Sequence, residues 1–228
     1  MLSRKAIDLS PRELACYIDQ SVLKPEFTQQ EIQQYILEGI EYGCRTVCVN
    51  PSAASLAKKL CEGSSTEVCV VCDFPFGLSD TPSKVHQAED ICAQGGIFEL
   101  DVVANYGWIR SGMWQSVTQD IAAVAEVCHK YGTALKVIFE TDALTLDQVR
   151  LATECAIVAK ADFAKTSTGF FTGGKSEGAN PEVIRAMMEV ANGRIKIKGA
   201  GGIRTRERFL ELIDMGIDRM GIGYRSTP

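Results

Sequence analysis

A lysine lies near the end of a short apolar strand in the stretch Asp162-Phe163-Ala164-Lys165-Thr166-Ser167-Thr168-Gly169. Strands buried in an α/β protein are almost continuously apolar, and a lysine is rarely buried without a partner. A second lysine has the same setting in Ile195-Lys196-Ile197-Lys198-Gly199-Ala200-Gly201-Gly202. Two lysines at strand ends, each followed by glycines, indicate an amine that is held for chemistry rather than for solubility.

Apolar segments of this kind alternate with amphipathic helices along the whole chain. The predicted strands lie near Tyr17–Val22, Thr46–Asn50, Val68–Cys72, Ile97–Val103, Ala134–Glu140, Asp162–Thr166, Ile195–Ala200 and Arg219–Ile222. The predicted helices lie near Thr28–Tyr42, Ala53–Cys61, Pro82–Ala93, Trp114–Tyr131, Leu146–Ala159, Pro181–Ala191 and Arg206–Met215. Eight strands separated by helices, without a low-complexity linker, predict an α/β fold: a single-domain (β/α)8 TIM barrel over residues 1–228. An open doubly wound sheet would require a phosphate-binding fingerprint after an early strand, and the sequence has none.

The two ends of the chain depart from a complete barrel. A short N-terminal helix is predicted near Pro11–Tyr17, whereas no helix is evident after the eighth strand, because the sequence stops at Pro228. Unless the sequence is shortened there, we expect the N-terminal helix or another subunit to cover that surface.

Composition excludes several classes of protein. The chain has 228 residues, is 46% hydrophobic and carries a net charge of −5, with no basic stripe that would indicate a nucleic-acid binder. It has no signal peptide and no apolar run of membrane length, so we expect a cytoplasmic protein that does not enter a membrane. Its nine cysteines are interpreted as buried, reduced thiols, and with two histidines and no clustered cysteines no metal site is expected.

Barrel enzymes work at the carboxyl ends of their strands, so polar residues at these positions are the candidates for function. An amine attacks a carbonyl only when it is neutral, and a neighbouring positive charge favours that form. Lys198 would act in this way on Lys165, while Asp101 could accept and donate protons during dehydration and enamine formation.

Each candidate also has a purely structural interpretation. Asp101 could be an ordinary ion-pair partner of a barrel lysine, and Lys136 could be only an electrostatic support for the carboxylates. Lys196 shares the strand face of Lys198 but lies deeper, and we interpret it as structural. Cys48 is interpreted as a packed thiol rather than a nucleophile, because no histidine lies near it in the sequence.

Glycines supply a second functional signal. Gly169, Gly201-Gly202 and Gly221 follow strands six, seven and eight. Backbone amides at glycine turns near the last strands commonly bind phosphate in this fold. A single pair of glycines is a weak signal, whereas three such turns on consecutive strands are a moderate one.

The sequence resembles the deoxyribose-phosphate aldolases, a family of class I aldolases. The resemblance is carried by Lys165-Thr166-Ser167-Thr168-Gly169-Phe170 and by Lys198-Gly199-Ala200-Gly201-Gly202-Ile203-Arg204. Further matching motifs are Tyr17-Ile18-Asp19, Leu23-Lys24-Pro25, Val47-Cys48-Val49-Asn50-Pro51, Phe74-Pro75, Glu99-Leu100-Asp101-Val102-Val103 and Leu135-Lys136-Val137-Ile138. Together these motifs cover nearly the whole chain.

The resemblance implies a TIM barrel that reversibly cleaves 2-deoxy-D-ribose 5-phosphate to D-glyceraldehyde 3-phosphate and acetaldehyde, without a metal or other cofactor. It implies that Lys165 forms the Schiff base, that Lys198 favours the neutral amine and that Asp101 relays protons through a water. Lys136 would orient Asp101, with Asp19 and Cys48 as further supporting residues. The phosphate would face Thr168, Gly169, Gly201, Gly202, Gly221 and Gly223.

The chain departs from the family pattern at three places. The first strand has Asp19-Gln20-Ser21 where the family commonly has Asp-His-Thr, and Asp73 places an extra carboxylate before Phe74-Pro75. After the eighth strand the family usually offers serines to the phosphate, whereas this chain has Gly221-Ile222-Gly223-Tyr224-Arg225, in which Arg225 could partly replace them. These departures concern the substrate more than the reaction type.

Three functions therefore remain open at this point. The leading one is the deoxyribose-phosphate aldolase, and the second is an aldolase of the same mechanism with an unphosphorylated or differently substituted substrate. The third is a catalytically idle barrel that serves as a binding or regulatory subunit, although the intact lysines and Asp101 argue against it. The sequence leaves a monomer, a homodimer and a higher homo-oligomer as alternatives.

Overall fold

The structure is a computed structural model that describes residues 5–223. Eight parallel strands close into one barrel, in which each strand pairs with the next and the last pairs with the first. The strands are β1 (Ile18–Val22), β2 (Thr46–Val49), β3 (Glu67–Cys72), β4 (Glu99–Val103), β5 (Ala134–Ile138), β6 (Phe163–Lys165), β7 (Lys196–Ala200) and β8 (Arg219–Gly223). The predicted TIM barrel is confirmed, and every predicted strand lies within a few residues of its observed position.

Helices surround this barrel and connect its strands. They are α1 (Pro11–Ala15), α2 (Gln29–Tyr42), α3 (Ala54–Cys61), α4 (Thr81–Cys92), α5 (Tyr106–Arg110), α6 (Trp114–Lys130), α7 (Leu146–Val158), α8 (Pro181–Ala191) and α9 (Arg206–Asp214). Short 3₁₀ turns lie at Ala6–Asp8, Pro51–Ala53 and Thr141–Ala143. The sequence did not predict α5, whose five residues are too few to show a helical period.

The strands form because both of their faces are buried. Outward-facing valines such as Val47, Val49, Val68 and Val70 belong to the large hydrophobic core between the barrel and its helices. All residues of β2 and β4 are buried, as expected for parallel strands that are covered on both faces. The inward face is different, because several strands turn charged side chains toward the barrel axis.

Local signals fix where the helices start. Thr28 accepts a hydrogen bond from the Glu31 amide, and the Glu31 carboxylate accepts one from the Thr28 amide, which forms a capping box at the start of α2. Asn180 and Thr205 cap α8 and α9 through their side chains. These caps fix the loops before α8 and α9, which border the carboxyl ends of β6 and β7.

The N-terminal segment packs on the last described helix. The 3₁₀ turn Ala6–Asp8 contacts α9, and the Ala6 amide donates a hydrogen bond of 2.7 Å to the Asp214 carboxylate. The predicted N-terminal helix is present as α1, although it ends at Ala15. The predicted lack of a helix after β8 and the suggested role of Arg225 fall on residues outside the described range. Within residues 5–223 no helix has the length and apolarity needed to cross a membrane.

Candidate active site

A cavity of about 510 Å³ opens at the carboxyl ends of the strands. Its lining is drawn from β1, β6, β7, β8 and the loops that follow these strands: Ser21, Leu23, Lys24, Lys165, Thr168, Gly169, Phe170, Ala200, Gly201, Gly202, Ile203, Arg204, Gly221 and Gly223. Lys165 and all six residues predicted to face a phosphate therefore share one cavity. Its location agrees with the usual active-site face of a TIM barrel.

Lys165 is the last residue of β6 and reaches the barrel interior below this cavity. Its side chain is 3% exposed, and Nζ donates a hydrogen bond of 2.7 Å to Oδ2 of Asp101. β6 has only three residues, and the segment that follows it contributes Thr168, Gly169 and Phe170 to the cavity lining. The amine is thus buried against one carboxylate while it remains in contact with the cavity.

Asp101 connects the three lysines that the sequence singled out. Its Oδ2 atom accepts hydrogen bonds from Lys165 and Lys198, at 2.7 and 2.8 Å, and Oδ1 accepts from Lys136 at 2.8 Å and from the Cys69 thiol at 3.2 Å. Burial would raise the pKa of Asp101, but Lys136, Lys165 and Lys198 outweigh it and hold the pKa well below its usual range. Asp101 is therefore a carboxylate at neutral pH.

Lys198 lies between two buried carboxylates. Its Nζ atom is 2.8 Å from Oδ2 of Asp101 and 2.5 Å from Oδ2 of Asp19. Burial would lower the pKa of Lys198, but Asp101 and Asp19 outweigh it and raise the pKa above its ordinary value. Lys198 is therefore a stable cation whose ammonium group shares an acceptor oxygen with Lys165.

Lys136 occupies the opposite side of Asp101. Its Nζ atom lies 2.5 Å from Glu99 and 3.6 Å from Asp19, in addition to its contact with Asp101. Burial alone would lower the pKa of Lys136, but these carboxylates, led by Asp101, outweigh it and hold the pKa well above its ordinary value. This geometry fits the predicted role of Lys136 in orienting Asp101.

Two further charged residues, Glu99 and Arg219, belong to this interior, and the sequence assigned no role to either. Arg219 Nη1 lies 2.6 Å from Oδ1 of Asp19 and 3.1 Å from Oε2 of Glu99. Burial would lower the pKa of Arg219, but Asp19 and Glu99 outweigh it and raise the pKa. The period of two along a strand could have identified both, because Glu99 shares a strand face with Asp101 and Arg219 shares one with Gly221.

Two thiols face the same interior. Cys48 and Cys69 are direct partners in the pairing of β2 with β3, and Cys48 is fully buried beside Leu23 and Val71. A hydrogen bond from Cys69 lowers the pKa of Cys48, whereas burial and that same bond raise the pKa of Cys69. Ligand atoms of Cys48, Cys69 and Asp101 lie within 4.8 Å of one another. The ammonium groups bonded to Asp101 repel a cation there, so the cluster fits an amine site better than a metal site.

Glu140 holds the turn after β6, a role the sequence did not assign. Its backbone is left-handed, with φ of 56°, and its carboxylate accepts hydrogen bonds from the Thr168 hydroxyl and, at 3.3 Å, from the Thr168 amide. Burial raises the pKa of Glu140, although the bonds from Thr168 partly oppose this. Thr168 is thereby fixed at the cavity wall, next to Gly169.

The glycines line the cavity in two different ways. Gly201 and Gly202 form the turn after β7 with φ of 77° and 73°, a backbone conformation that favours glycine. Gly221 and Gly223 lie within β8 rather than after it, which corrects the predicted turn on strand eight. A Cβ atom on Gly221 would lie 3.2 Å from Ala200, a tight contact, and 3.5 Å from the Lys198 side chain, an ordinary one.

Two further strand-end residues have local partners instead of facing the cavity. Asp73 was expected to add a carboxylate near the mouth, but it accepts hydrogen bonds from the Ser79 amide and hydroxyl at 3.1 and 2.8 Å. Asn105 caps α5, and its side-chain oxygen accepts a hydrogen bond of 3.1 Å from the Trp108 amide. Neither residue lines the cavity.

Comparisons with known proteins give a consistent result. The model of a family described as DeoC/LacD family aldolase matches residues 14–225. A deoxyribose-phosphate aldolase from Thermococcus kodakarensis is 43% identical over 215 residues, which cover 93% of this chain and 94% of that protein. The solved structure of "QR15, an Aldolase" is 36% identical, with a TM-score of 0.83 and coverage of 92% of this chain and 90% of the other. A tetrameric deoxyribose phosphate aldolase from Aeropyrum pernix is 27% identical, with a TM-score of 0.83 and coverage of 93% and 87%.

Proposed function

The chain belongs to the DeoC/LacD family of aldolases, and from that membership we propose that it is a class I aldolase acting on 2-deoxy-D-ribose 5-phosphate. The reaction is the reversible cleavage of this sugar phosphate to D-glyceraldehyde 3-phosphate and acetaldehyde. Relatives that are named for this activity match more than nine-tenths of the chain.

The chemistry begins with the amine of Lys165. The neutral amine adds to the C1 aldehyde of the open-chain sugar, and loss of water from the carbinolamine gives a protonated Schiff base. As the C3 hydroxyl loses its proton, the C2–C3 bond breaks and its electron pair moves toward the imine to form an enamine. Glyceraldehyde 3-phosphate leaves, a proton returns to C2, and water releases acetaldehyde and restores Lys165.

Asp101 and Lys198 are assigned to proton transfer around this amine. Asp101 holds Lys165 by its Oδ2 atom, so a water bound beside that carboxylate could carry protons to and from the reacting carbons. Lys198 contacts the same oxygen and remains charged, so it opposes a second charge on Lys165. Lys136 fixes the other oxygen of Asp101 and keeps the carboxylate oriented.

The phosphate of the substrate is assigned to the glycine-rich wall of the cavity. Thr168, Gly169 and the Gly201-Gly202 turn lie there, and Lys24 and Arg204 add two positive side chains to the lining. Backbone amides at left-handed glycine turns and basic side chains are typical phosphate ligands. The single observation that carries the proposal is that this basic, glycine-rich wall and the amine of Lys165 belong to one cavity.

The test is borohydride trapping with acetaldehyde, followed by peptide mapping. Reduction should leave one two-carbon adduct on Lys165, and the Lys165→Met variant should give none. A matched control is Lys196→Met, because Lys196 is exposed at the start of β7 and should not affect the adduct. An adduct on Lys198 alone would overturn the assignment of roles. No adduct on the parent protein would overturn the aldolase.

The second candidate is an aldolase of the same mechanism that does not require the phosphate. It is favoured by the glycines of β8, which offer no hydroxyl to the cavity. The two candidates differ in the ratio of kcat/KM for 2-deoxyribose 5-phosphate and for 2-deoxyribose. Equal values would support the second candidate, whereas a large preference for the phosphorylated sugar would support the first.

We also propose a homo-oligomeric assembly and a cytoplasmic location. The tetrameric relative from Aeropyrum pernix supports the former, and a sedimentation measurement of the mass in solution tests it. All nine cysteines are free, which supports a reducing compartment. Fractionation of cells that express the protein tests the location.

A further inference from the structure

The interior of the barrel contains a connected network of buried charges. Its side chains are between 0% and 8% exposed and come from six of the eight strands: Asp19, Glu99, Asp101, Lys136, Lys165, Lys198 and Arg219. Arg219 joins Asp19 to Glu99, Lys136 joins Glu99 to Asp101, and Lys198 joins Asp101 to Asp19. Four positions are basic and three are acidic.

The charges balance in only one protonation state of Lys165. The three carboxylates are matched by Lys136, Lys198 and Arg219, each of which contacts at least two of them. With Lys165 protonated, the network has a surplus of one positive charge, and with Lys165 neutral its net charge is zero. An unmatched charge is costly where the surroundings are dry and weakly polarisable.

Other titratable groups face Lys165 from the elements packed around it. Cys48 faces it from β2, Glu140 from the turn after β5, and Lys24 and Arg204 from the cavity wall, while the Cys69 thiol from β3 donates to Asp101. Lys24 and Arg204 line the open cavity, where water and salt screen them. Cys48 and Cys69 are fully buried thiols and Glu140 is held by Thr168, so the seven-residue network contains the acidic and basic side chains that are buried and in contact with one another.

We propose that Arg219 and Glu99 are positioning residues that set the charge of this network and thereby favour the neutral, nucleophilic form of the Lys165 amine. Neither residue lines the cavity, and their contacts run to Asp19 and Lys136 rather than to Lys165. Because Arg219 supplies the third positive charge that matches the three carboxylates, the positive charge of a protonated Lys165 is unmatched. Glu99 supplies one of those carboxylates and so keeps the unmatched charge of the network to one. This inference rests on the proposed function.

The test compares single and double charge changes by the pH dependence of Schiff-base formation. Arg219→Gln removes one positive charge, so a neutral Lys165 would leave an unmatched carboxylate. We expect the acidic limb of two pH profiles to move to higher pH by about one unit or more. One is the profile of kcat/KM, and the other is the profile of the rate of borohydride trapping with acetaldehyde. Glu99→Gln should move the same limb to lower pH. The double variant Arg219→Gln/Glu99→Gln restores the balance and should return the limb close to that of the parent.

Two controls separate this role from a simple structural one. Arg219→Lys keeps the charge, so the limb should stay in place even if the change lowers stability, which urea unfolding measures. Arg194→Gln removes the same charge at an exposed ion pair with Glu154 and should leave the profile unchanged.

The possible outcomes are distinct. If Arg219→Gln and Glu99→Gln reduce activity without moving the limb, or move it in the same direction, the inference is wrong and the two residues only close the bottom of the barrel. A double variant that shows the sum of both losses, without a returned limb, also contradicts it. If the parent protein forms no borohydride adduct, the proposed function fails instead. Should Arg219→Gln not fold, the direction in which Glu99→Gln moves the limb still decides the matter, with Arg219→Lys as the variant that keeps the charge.

Discussion

Lys165 and Lys198 are direct partners in the pairing of β6 with β7, and both side chains donate to the same oxygen of Asp101. Two ammonium groups around one carboxylate oxygen leave an excess of positive charge in a buried place. Lys165 is the member of the pair that lines the cavity, so its amine is the one that a substrate can reach.

Removal of the charge on Lys198 should make Lys165 less reactive at neutral pH. We expect Lys198→Leu to lower kcat/KM at pH 7 by roughly a hundredfold and to move the acidic limb of the profile to higher pH. The measurement is the pH–rate profile, with Lys196→Leu as the control on the same strand. A lower rate with an unchanged profile would contradict this electrostatic role of Lys198.

Neutralisation of Asp101 should affect both stability and activity. Asp101→Asn leaves the buried side chains of Lys136, Lys165 and Lys198 without their common carboxylate, which should lower the free energy of unfolding by about 3–5 kcal/mol. Urea unfolding at pH 7 measures this change, and the exposed variant Glu89→Gln should show almost none. Equal stability of Asp101→Asn and the parent would mean that the lysines lose their charge at little cost.

Because the Glu140 carboxyl is buried, we expect the difference in stability between the parent protein and Glu140→Gln to depend on pH. Burial raises its pKa in the folded protein above the unfolded value, so the stability it contributes is present in acid and is lost as the pH rises through the folded pKa. Glu140→Gln does not titrate and should become progressively more stable, relative to the parent, between pH 4 and pH 8. Thermal unfolding at several pH values checks this. A difference that stays constant with pH would be inconsistent with a buried, titrating carboxyl.

Gly223 offers a way to strengthen phosphate binding. A Cβ atom at this position has open space around it, and Gly223 lines the cavity. Gly223→Ser should lower KM for 2-deoxyribose 5-phosphate by roughly tenfold, because a hydrogen bond to a charged group contributes about 1.5 kcal/mol or more. The rate on unphosphorylated 2-deoxyribose is the control and should not change. A similar decrease in KM for both sugars would mean that the phosphate does not bind next to Gly223.

Much of the fold and part of the site follow from the sequence. Continuous apolar strands that alternate with capped helices predict the barrel, and the rule that function lies at the carboxyl ends selects Lys165 and Lys198. Both rules depend on local pattern, which a single sequence contains. They also place Thr168 and the Gly201-Gly202 turn at one cavity, since neighbouring parallel strands end at the same face.

The residues that the sequence did not assign depend on long-range contacts or local alternatives. Arg219 meets Asp19 only because β8 pairs with β1, across 200 positions of the chain. Glu99 contacts Arg219, so its role in the network also depends on a contact between distant parts of the chain, which the sequence does not show. Asp73 was placed near the mouth, but its carboxylate finds a closer donor in Ser79. A polar side chain at a strand end can hydrogen-bond within its own loop instead of facing the active-site cavity. No sequence pattern distinguishes these two arrangements.

Closure of the barrel also has a consequence for when the protein becomes reactive. Asp19 comes from the first strand and Arg219 from the last, so their contact forms only after nearly the whole chain has left the ribosome. A nascent chain that ends before β8 contains all three lysines and all three carboxylates but lacks this guanidinium. Closure of the barrel and completion of the buried charge network are thus the same event.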